Sequence, residues 1–141
     1  MRKTVAVDAA FLGALLNSRT RSEAVSNLIR RLSGENTKVV IPTPALAEVL
    51  TRHPDAAQNW TQDINRYACF QVRPFDDKAS FELAQMLGGN APGLRDILRF
   101  DRQIVAIAKV YGASVLYADD EQVVTFAEEC GIPAKRLKDL G

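Results

Sequence analysis

Four carboxylates occupy positions in the sequence from which they could act together on one ligand. Asp8 closes an apolar run near the start of the chain, and Glu48 lies within an apolar segment. Asp101 and Asp119 each begin another apolar segment. Carboxylates a few ångströms apart repel one another and raise each other's pKa unless a cation neutralises them. Oxygen ligands of this kind suit Mg²⁺ or Mn²⁺, which most often serve phosphate chemistry in proteins.

Each of these acids also has a purely structural explanation. Asp101 and Asp119 stand where an acid is favoured as a helix cap or in the first helical turn. Glu48 alone would suit an exposed position on a helix. Asp8 is the hardest to explain in this way, because it ends an apolar strand. The joint placement of the acids therefore favours a shared metal site, in which Asp120 could replace or assist its neighbour Asp119.

Strands and helices alternate along the chain and would position these acids. Apolar runs predict strands at 4–8, 38–41, 69–75 and 113–117, with a short edge strand within 132–140. Helical spacing and cap residues predict helices at 9–17, 22–33, 43–52, 56–68, 77–87, 100–111 and 119–130. This alternation indicates a single α/β domain over residues 1–141. The expected architecture is a three-layer α/β/α sandwich around a mostly parallel sheet of four to five strands.

One rim of such a sheet would gather the acids. In a parallel sheet, the carboxyl ends of the strands and the starts of the following helices lie on the same rim. Asp8, Glu48 and Asp119 are therefore expected to meet there, and Asp101 joins them if the first turn of its helix packs at that rim. A phosphate-bearing substrate would also need cations, and the candidates are Arg19, Arg21, Arg95, Arg99 and Arg102.

Composition and charge exclude several classes of function. Apolar residues make up 47% and charged residues 25% of the chain, as in an ordinary soluble globular protein. A net charge of +1 argues against nonspecific coating of nucleic acid, which needs many unpaired cations. The single histidine, His53, excludes a multi-histidine metal site, and Cys69 and Cys130 form no metal-binding spacing. Without a disulfide framework, a signal-peptide pattern or about 20 consecutive apolar residues, a cytoplasmic protein with no membrane span is expected.

The order of these motifs resembles the PIN-domain family, and in particular the small VapC-type ribonucleases of toxin–antitoxin pairs. The resemblance covers nearly the whole chain. It rests on the strand Val5–Asp8, the strand exit and helix Ile41–Leu50, the helix in which Asp101 is followed by Ala106 and Ala108, and the strand end Val115–Asp119. Each segment alone is a weak signal, whereas the four in this order are fairly specific.

The resemblance implies a Mg²⁺- or Mn²⁺-dependent endoribonuclease that hydrolyses RNA phosphodiesters and leaves a 5′-phosphate and a 3′-hydroxyl. It implies that the catalytic, metal-binding cluster consists of Asp8, Glu48, Asp101 and Asp119, with one or two bound ions. It also implies a homodimer and, for the toxin branch, a small antitoxin protein that blocks the site. Replacement of Asp8 by Asn would then abolish cleavage and leave the fold intact.

Other functions are weaker alternatives. Members of the family often carry Ser or Thr directly after the first Asp and two residues before the last one, where this chain has Ala9 and Tyr117. These two residues favour a PIN-like domain with a degenerate metal site that binds RNA or protein. A phosphoacceptor receiver domain would need paired acids after the first strand and a Lys after the last, and the chain has neither. A P-loop enzyme is excluded because no glycine-rich turn leads into Gly-Lys-Ser/Thr.

Overall fold

In the described part of the chain, five parallel strands form the central sheet. The computed structural model describes residues 3–16, 23–54, 57–89 and 93–140, without the side chains of residues 16, 57, 94 and 95. The strands are β1 (Thr4–Val7), β2 (Lys38–Pro42), β3 (Phe70–Arg73), β4 (Val115–Tyr117) and β5 (Ala134–Lys135). Their order across the sheet is β3-β2-β1-β4-β5, so β1 lies at the centre between β2 and β4.

Helices cover both faces of this sheet. In the described residues they are α1 (Ala9–Leu16), α2 (Glu23–Gly34), α3 (Thr43–Arg52), α4 (Ala57–Arg66), α5 (Asp77–Leu87), α6 (Leu94–Ile97), α7 (Phe100–Val110), α8 (Glu121–Glu129) and a 3₁₀ turn at Leu137–Leu140. Crossovers between parallel strands are right-handed. The helices between β1 and β3 therefore lie on one face, and those between β3 and β5 lie on the other. This arrangement confirms the three-layer α/β/α sandwich that the sequence predicts.

The two central strands are buried on both faces. The residues Val5–Val7 of β1 and Val39–Ile41 of β2 are all buried. Uninterrupted apolar runs, rich in β-branched residues, are typical of strands that helices cover on both sides.

Helix α2 shows the apolar stripe of a helix that packs with one face on the core. Its buried residues are Val25, Leu28, Ile29 and Leu32. Within the described residues, no helix is long and apolar enough to cross a membrane.

Helix α5 begins and ends with the local signals expected from its sequence. Asp76 is its N-cap and accepts a hydrogen bond from the backbone N–H of Ala79 at 2.9 Å. The hydroxyl of Tyr111 donates to the second oxygen of Asp76 at 2.6 Å and lowers the pKa of that carboxyl. Gly88 closes the helix at φ +57°, a left-handed conformation that suits glycine. Ser22, the first residue of the helix predicted at 22–33, lies outside the described residues.

Some element boundaries differ from the predicted ones. Strand β3 covers Phe70–Arg73 and not 69–75, and it is these residues that pair with β2. Helix α4 ends at Arg66 rather than at residue 68. Helix α8 begins after Asp120, which is its N-cap, and Asp119 precedes that cap. This last difference gives the carboxylates of Asp119 and Asp120 different hydrogen-bond partners.

Tyr117 ends β4 and fills the core beside α1. Its side chain is 4% exposed, and its ring centroid lies 5.2 Å from that of Phe11 at an interplanar angle of 42°. Tilted pairs at this separation are favourable for aromatic rings. The residue that stands where the family often has a small hydroxyl therefore packs into the core.

Replacing Tyr117 by Thr should lower the free energy of unfolding by about 2–4 kcal/mol, because the aromatic pair is lost and a cavity remains beside Phe11. Urea unfolding followed by circular dichroism measures the change. The variant Tyr117→Phe keeps the ring and is the matched control, with a loss well below that of the Thr variant. Equal stability of wild type and Tyr117→Thr would contradict the packing role.

Candidate active site

Asp8 lies directly after β1, at the carboxyl edge of the sheet, and its side chain is fully buried. Its backbone N–H continues the strand ladder by donating to the carbonyl of Tyr117 at 3.0 Å. One carboxylate oxygen accepts from the N–H of Phe11 at 2.8 Å. The other oxygen accepts from the N–H groups of Asp119 at 3.0 Å and Asp120 at 2.9 Å. This carboxylate therefore ties the start of α1 to the turn after β4.

Opposing effects act on the charge of Asp8. Burial raises the pKa of its carboxyl above the ordinary value of 3.8. The hydrogen bonds from the N–H groups of Asp120, Phe11 and Asp119 favour the ionised form and lower the pKa, whereas the charge of Asp120 raises it further. Since burial outweighs the hydrogen bonds, a cation near Asp8 would stabilise its ionised form.

An acidic cavity of about 230 Å³ opens beside Asp8. Among the described residues that line it are four carboxylates from separate parts of the chain, those of Asp8, Glu48, Asp101 and Asp120. The loop after β1, helix α3, the first turn of α7 and the N-cap of α8 each contribute one of these acids. We call this space the acidic cavity. It lies where the sequence predicts that the carboxyl edge of the sheet would gather acids.

Glu48 enters the acidic cavity from the middle of α3. Its side chain is 38% exposed, and one of its oxygens accepts a hydrogen bond from the Arg52 guanidinium at 3.3 Å. Arg52 is itself 71% exposed, and exposed ion pairs of this spacing contribute little to stability. The Glu48 carboxylate can therefore turn towards a ligand in the cavity at small cost.

Asp101 lies in the first turn of α7, and its side chain is 9% exposed. Both of its oxygens accept hydrogen bonds from the Arg99 guanidinium, from Nε at 3.0 Å and from Nη2 at 3.0 Å. Arg99 occupies the N-cap position of α7, but its side chain makes no capping hydrogen bond. Asp101 is therefore not a helix cap but half of a bidentate ion pair at the cavity wall.

The adjacent acids Asp119 and Asp120 point to different surroundings. One oxygen of Asp120 accepts from the N–H groups of Gln122 and Val123, and the residue lines the acidic cavity. The carboxylate of Asp119 accepts from the N–H of Leu137 at 3.2 Å, beyond β5. Asp119 is not among the described residues that line the cavity. The structure thus brings Asp8, Glu48 and Asp101 together, as expected, and places Asp120 there instead of Asp119.

The donor set of the acidic cavity fits a hard divalent cation that is bound partly through water. In the part of the chain that the structure describes, no group of three suitable ligands lies close enough together to hold an ion directly. Mg²⁺, however, usually keeps several waters and binds through one or two carboxylates. The described lining contains no histidine or cysteine, and one of its carboxylates is the buried Asp8. Such oxygen ligands suit Mg²⁺ or Mn²⁺.

A second cavity of about 350 Å³ extends the site along α1. It shares Ala9, Glu48 and Asp120 with the acidic cavity and continues to Arg52 and His53. The sequence carries no functional signal for Arg52 and His53, because periodicity shows only that a helix ends there. His53 is the C-cap of α3, as a turn residue should be, and its ring lies 5.0 Å from that of Trp60.

The arginines proposed as phosphate contacts have different surroundings. Arg99 lines the acidic cavity. Arg102 lines a neighbouring cavity, donates to the carbonyl of Asp96 at 2.6 Å and lies over the Phe126 ring. The positions of Arg19 and Arg21, and the side chain of Arg95, lie outside the described part of the chain.

The sequence can be assigned to a protein family. The family model described as PIN domain matches residues 5–128, which is most of the chain. The chain therefore belongs to the PIN-domain family. Among curated protein sequences, none is significantly similar to it.

Solved structures show the same fold. The chain is similar to one in VapBC2 from Rickettsia felis bound to a DNA fragment from their promoter, with 13% identity, a TM-score of 0.65, and 94% of this chain and 98% of that chain covered. A chain of DNA-bound VapBC from Salmonella typhimurium gives 16% identity and a TM-score of 0.63, with 96% and 98% covered. A chain of FitAB bound to the IR36 DNA fragment gives 15% identity and a TM-score of 0.65, with 94% of both chains covered.

The hydrogen bonds of Asp8 change the expectation that Asp8→Asn would leave the fold intact. This substitution should lower the free energy of unfolding by about 1–3 kcal/mol, because an amide NH₂ would face at least one N–H donor that now bonds to the carboxylate. Asp119→Asn makes the same chemical change at an exposed residue and should cost much less. Urea unfolding of both variants measures the difference, and equal losses would contradict the structural role of Asp8.

Proposed function

We propose that this PIN-domain protein is a Mg²⁺- or Mn²⁺-dependent endoribonuclease and the toxin of a type II toxin–antitoxin pair. The observation that carries the proposal is the acidic cavity, in which four carboxylates from distant parts of the chain meet at the carboxyl edge of a parallel sheet. PIN domains are generally nucleases, and the family assignment supports the same chemistry. The proposed localisation is the cytoplasm, where RNA would be the substrate.

The residues of the acidic cavity suggest separate roles. Asp8 is fixed by three backbone N–H groups and would present an oriented carboxylate to the ion. Asp101 and Asp120 would bind the ion directly or through water. Glu48, more exposed and loosely paired, would orient the attacking water or accept its proton. A bound divalent ion would polarise the phosphoryl oxygen and offset the charge that develops on the leaving oxygen.

Partners follow from the proposed toxin role. The similar structures are VapBC and FitAB complexes, which supports a small antitoxin as the partner of this chain. Several large apolar side chains are exposed, including Phe81 at 74% and Phe100 at 57%. Phe100 also lines the acidic cavity, so a protein that covers this residue would also cover the entrance to the site. We propose in addition that the protein forms a homodimer.

A degenerate PIN domain that only binds RNA or protein is the second candidate. Ala9 favours it, because this residue lines the acidic cavity without offering the hydroxyl that the family often has there. Metal-dependent cleavage distinguishes the two functions. Cleavage of RNA that stops with EDTA and returns with excess Mn²⁺ supports the nuclease, whereas RNA binding without any cleavage supports the binding module.

The variants Glu48→Gln, Asp101→Asn and Asp120→Asn should each reduce the rate of RNA cleavage by about 100-fold or more, because each removes a charged ligand or the proton acceptor. Fluorescent oligoribonucleotides with and without Mn²⁺ measure the rate. Asn still caps a helix and still accepts a hydrogen bond, so Asp120→Asn and Asp119→Asn form a matched pair. The Asp119→Asn variant should cleave at close to the wild-type rate. The reverse order within this pair would assign the metal-binding role to Asp119.

Acid pH should remove metal binding through Asp8. Its raised pKa means that the metal-free folded state holds the Asp8 proton more tightly than the unfolded state, so the free energy of unfolding falls as the pH rises from 3.8 through that pKa. Binding of Mn²⁺ requires the ionised carboxylate.

The increase in Tm caused by Mn²⁺ should therefore be complete above the raised pKa of Asp8 and vanish as the pH falls through it. Thermal unfolding between about pH 7 and about pH 4, with and without Mn²⁺, measures this dependence. Potassium chloride at equal ionic strength is the control for screening. An Mn²⁺ effect that persists unchanged at the acid end would show that Asp8 is not a ligand.

A further inference from the structure

The ion pair between Arg99 and Asp101 occupies a carboxylate of the acidic cavity. Nε and Nη2 of Arg99 donate to the two different oxygens of Asp101, each at 3.0 Å. This is the bidentate arrangement in which arginine binds a carboxylate most strongly. Asp101 is 9% exposed and Arg99 36% exposed, so the pair is shielded on the acid side and open to solvent on the basic side.

Arg99 is also the one basic residue among the described residues that line the acidic cavity. Its pKa is raised, first by the hydrogen bond and charge of Asp101 and then by the charges of Asp96 and Asp120. The guanidinium therefore already lies in the field of the acids that would attract a divalent ion. Within the described residues, its hydrogen bonds go only to Asp101, so no other hydrogen bond holds it in this position.

We propose that Arg99 and the divalent ion compete for Asp101, and that the ion releases Arg99 to bind a phosphate of the substrate. The proposal rests on the nuclease function above. An ion that binds an Asp101 oxygen must displace one of the two Arg99 N–H donors or lie beside a positive guanidinium, and both are unfavourable. Once released, the planar fork matches the geometry of a phosphate as well as that of a carboxylate. A single side chain would thus neutralise the empty site and bind substrate in the loaded one.

Calorimetric titration with Mn²⁺ alone tests the competition without any catalytic readout. Arg99→Gln should bind Mn²⁺ about tenfold more tightly than wild type, because the competing charge-assisted pair is gone. Arg99→Lys keeps the charge but not the fork and should lie between the two.

The matched control for this titration is Arg136→Gln. It breaks another arginine–carboxylate pair, with Glu121 at 2.7 Å, outside the lining of the acidic cavity. This variant should leave the affinity for Mn²⁺ unchanged. Unchanged or weaker Mn²⁺ binding in Arg99→Gln would overturn the proposal while leaving the metal site itself in place. Thermal unfolding shows whether a variant has lost its fold.

RNA binding in a non-cleaving background tests the release of Arg99. The Glu48→Gln protein, with and without Arg99→Gln, is titrated with a labelled oligoribonucleotide in Mn²⁺ and in EDTA. Arg99→Gln should weaken binding about tenfold in Mn²⁺ and change it little in EDTA, where Asp101 still holds the guanidinium. An equal loss in both conditions would overturn the release step and make Arg99 a constant phosphate contact.

The outcomes separate this proposal from the proposed function. Mn²⁺ that binds more tightly to Arg99→Gln, in a protein that cleaves no RNA, would support the competition and overturn the nuclease. Absence of Mn²⁺ binding in wild type and in all variants would overturn both. Metal-dependent cleavage with the same Mn²⁺ affinity in wild type and Arg99→Gln would leave the nuclease standing and overturn the role of Arg99.

Discussion

The buried carboxylate of Asp8 holds together the part of the structure on which the site depends. It accepts hydrogen bonds from the N–H of Phe11 at the start of α1 and from two successive N–H groups in the turn after β4. These donors belong to backbone that would otherwise be left unsatisfied where a helix begins and where a strand ends. The central strand thus ends in an acceptor that fixes both neighbouring segments, so the positions of Ala9 and Asp120 at the cavity follow from Asp8.

Burial of this charge sets the electrostatics of the whole rim. A carboxylate removed from water is costly unless donors or cations surround it, and the three N–H groups supply only part of the compensation, as the raised pKa shows. The neighbouring acids add repulsion, while Arg99 supplies the positive charge on the other side of the cavity. In the absence of a metal, the Arg99 guanidinium thus neutralises one member of the acid cluster.

The sequence was sufficient to predict the fold and to predict that three of the acids lie at one rim, because both depend on local patterns. Apolar strands that alternate with amphipathic helices define the parallel sheet, and the strand-end and helix positions of Asp8, Glu48 and Asp101 then bring them to one rim. The distinction between Asp119 and Asp120 depends instead on one peptide unit in the turn after β4. Both N–H groups bond to Asp8, but only Asp120 becomes the cap of α8 and faces the cavity. The pairing of Arg99 with Asp101 likewise depends on the loop geometry before α7, for which the sequence carries no periodic signal.

The backbone around Asp8 can account for the absence of small hydroxyl residues at positions 9 and 117. A hydroxyl beside a metal-binding carboxylate would orient it by donating a hydrogen bond, and here both oxygens of Asp8 already accept from backbone N–H groups. The Tyr117 ring packs against Phe11 at the end of β4. The turn that follows this strand contains the N–H groups of Asp119 and Asp120 that bond to Asp8. The backbone thus takes over the orienting role that a hydroxyl at position 9 or 117 would have had.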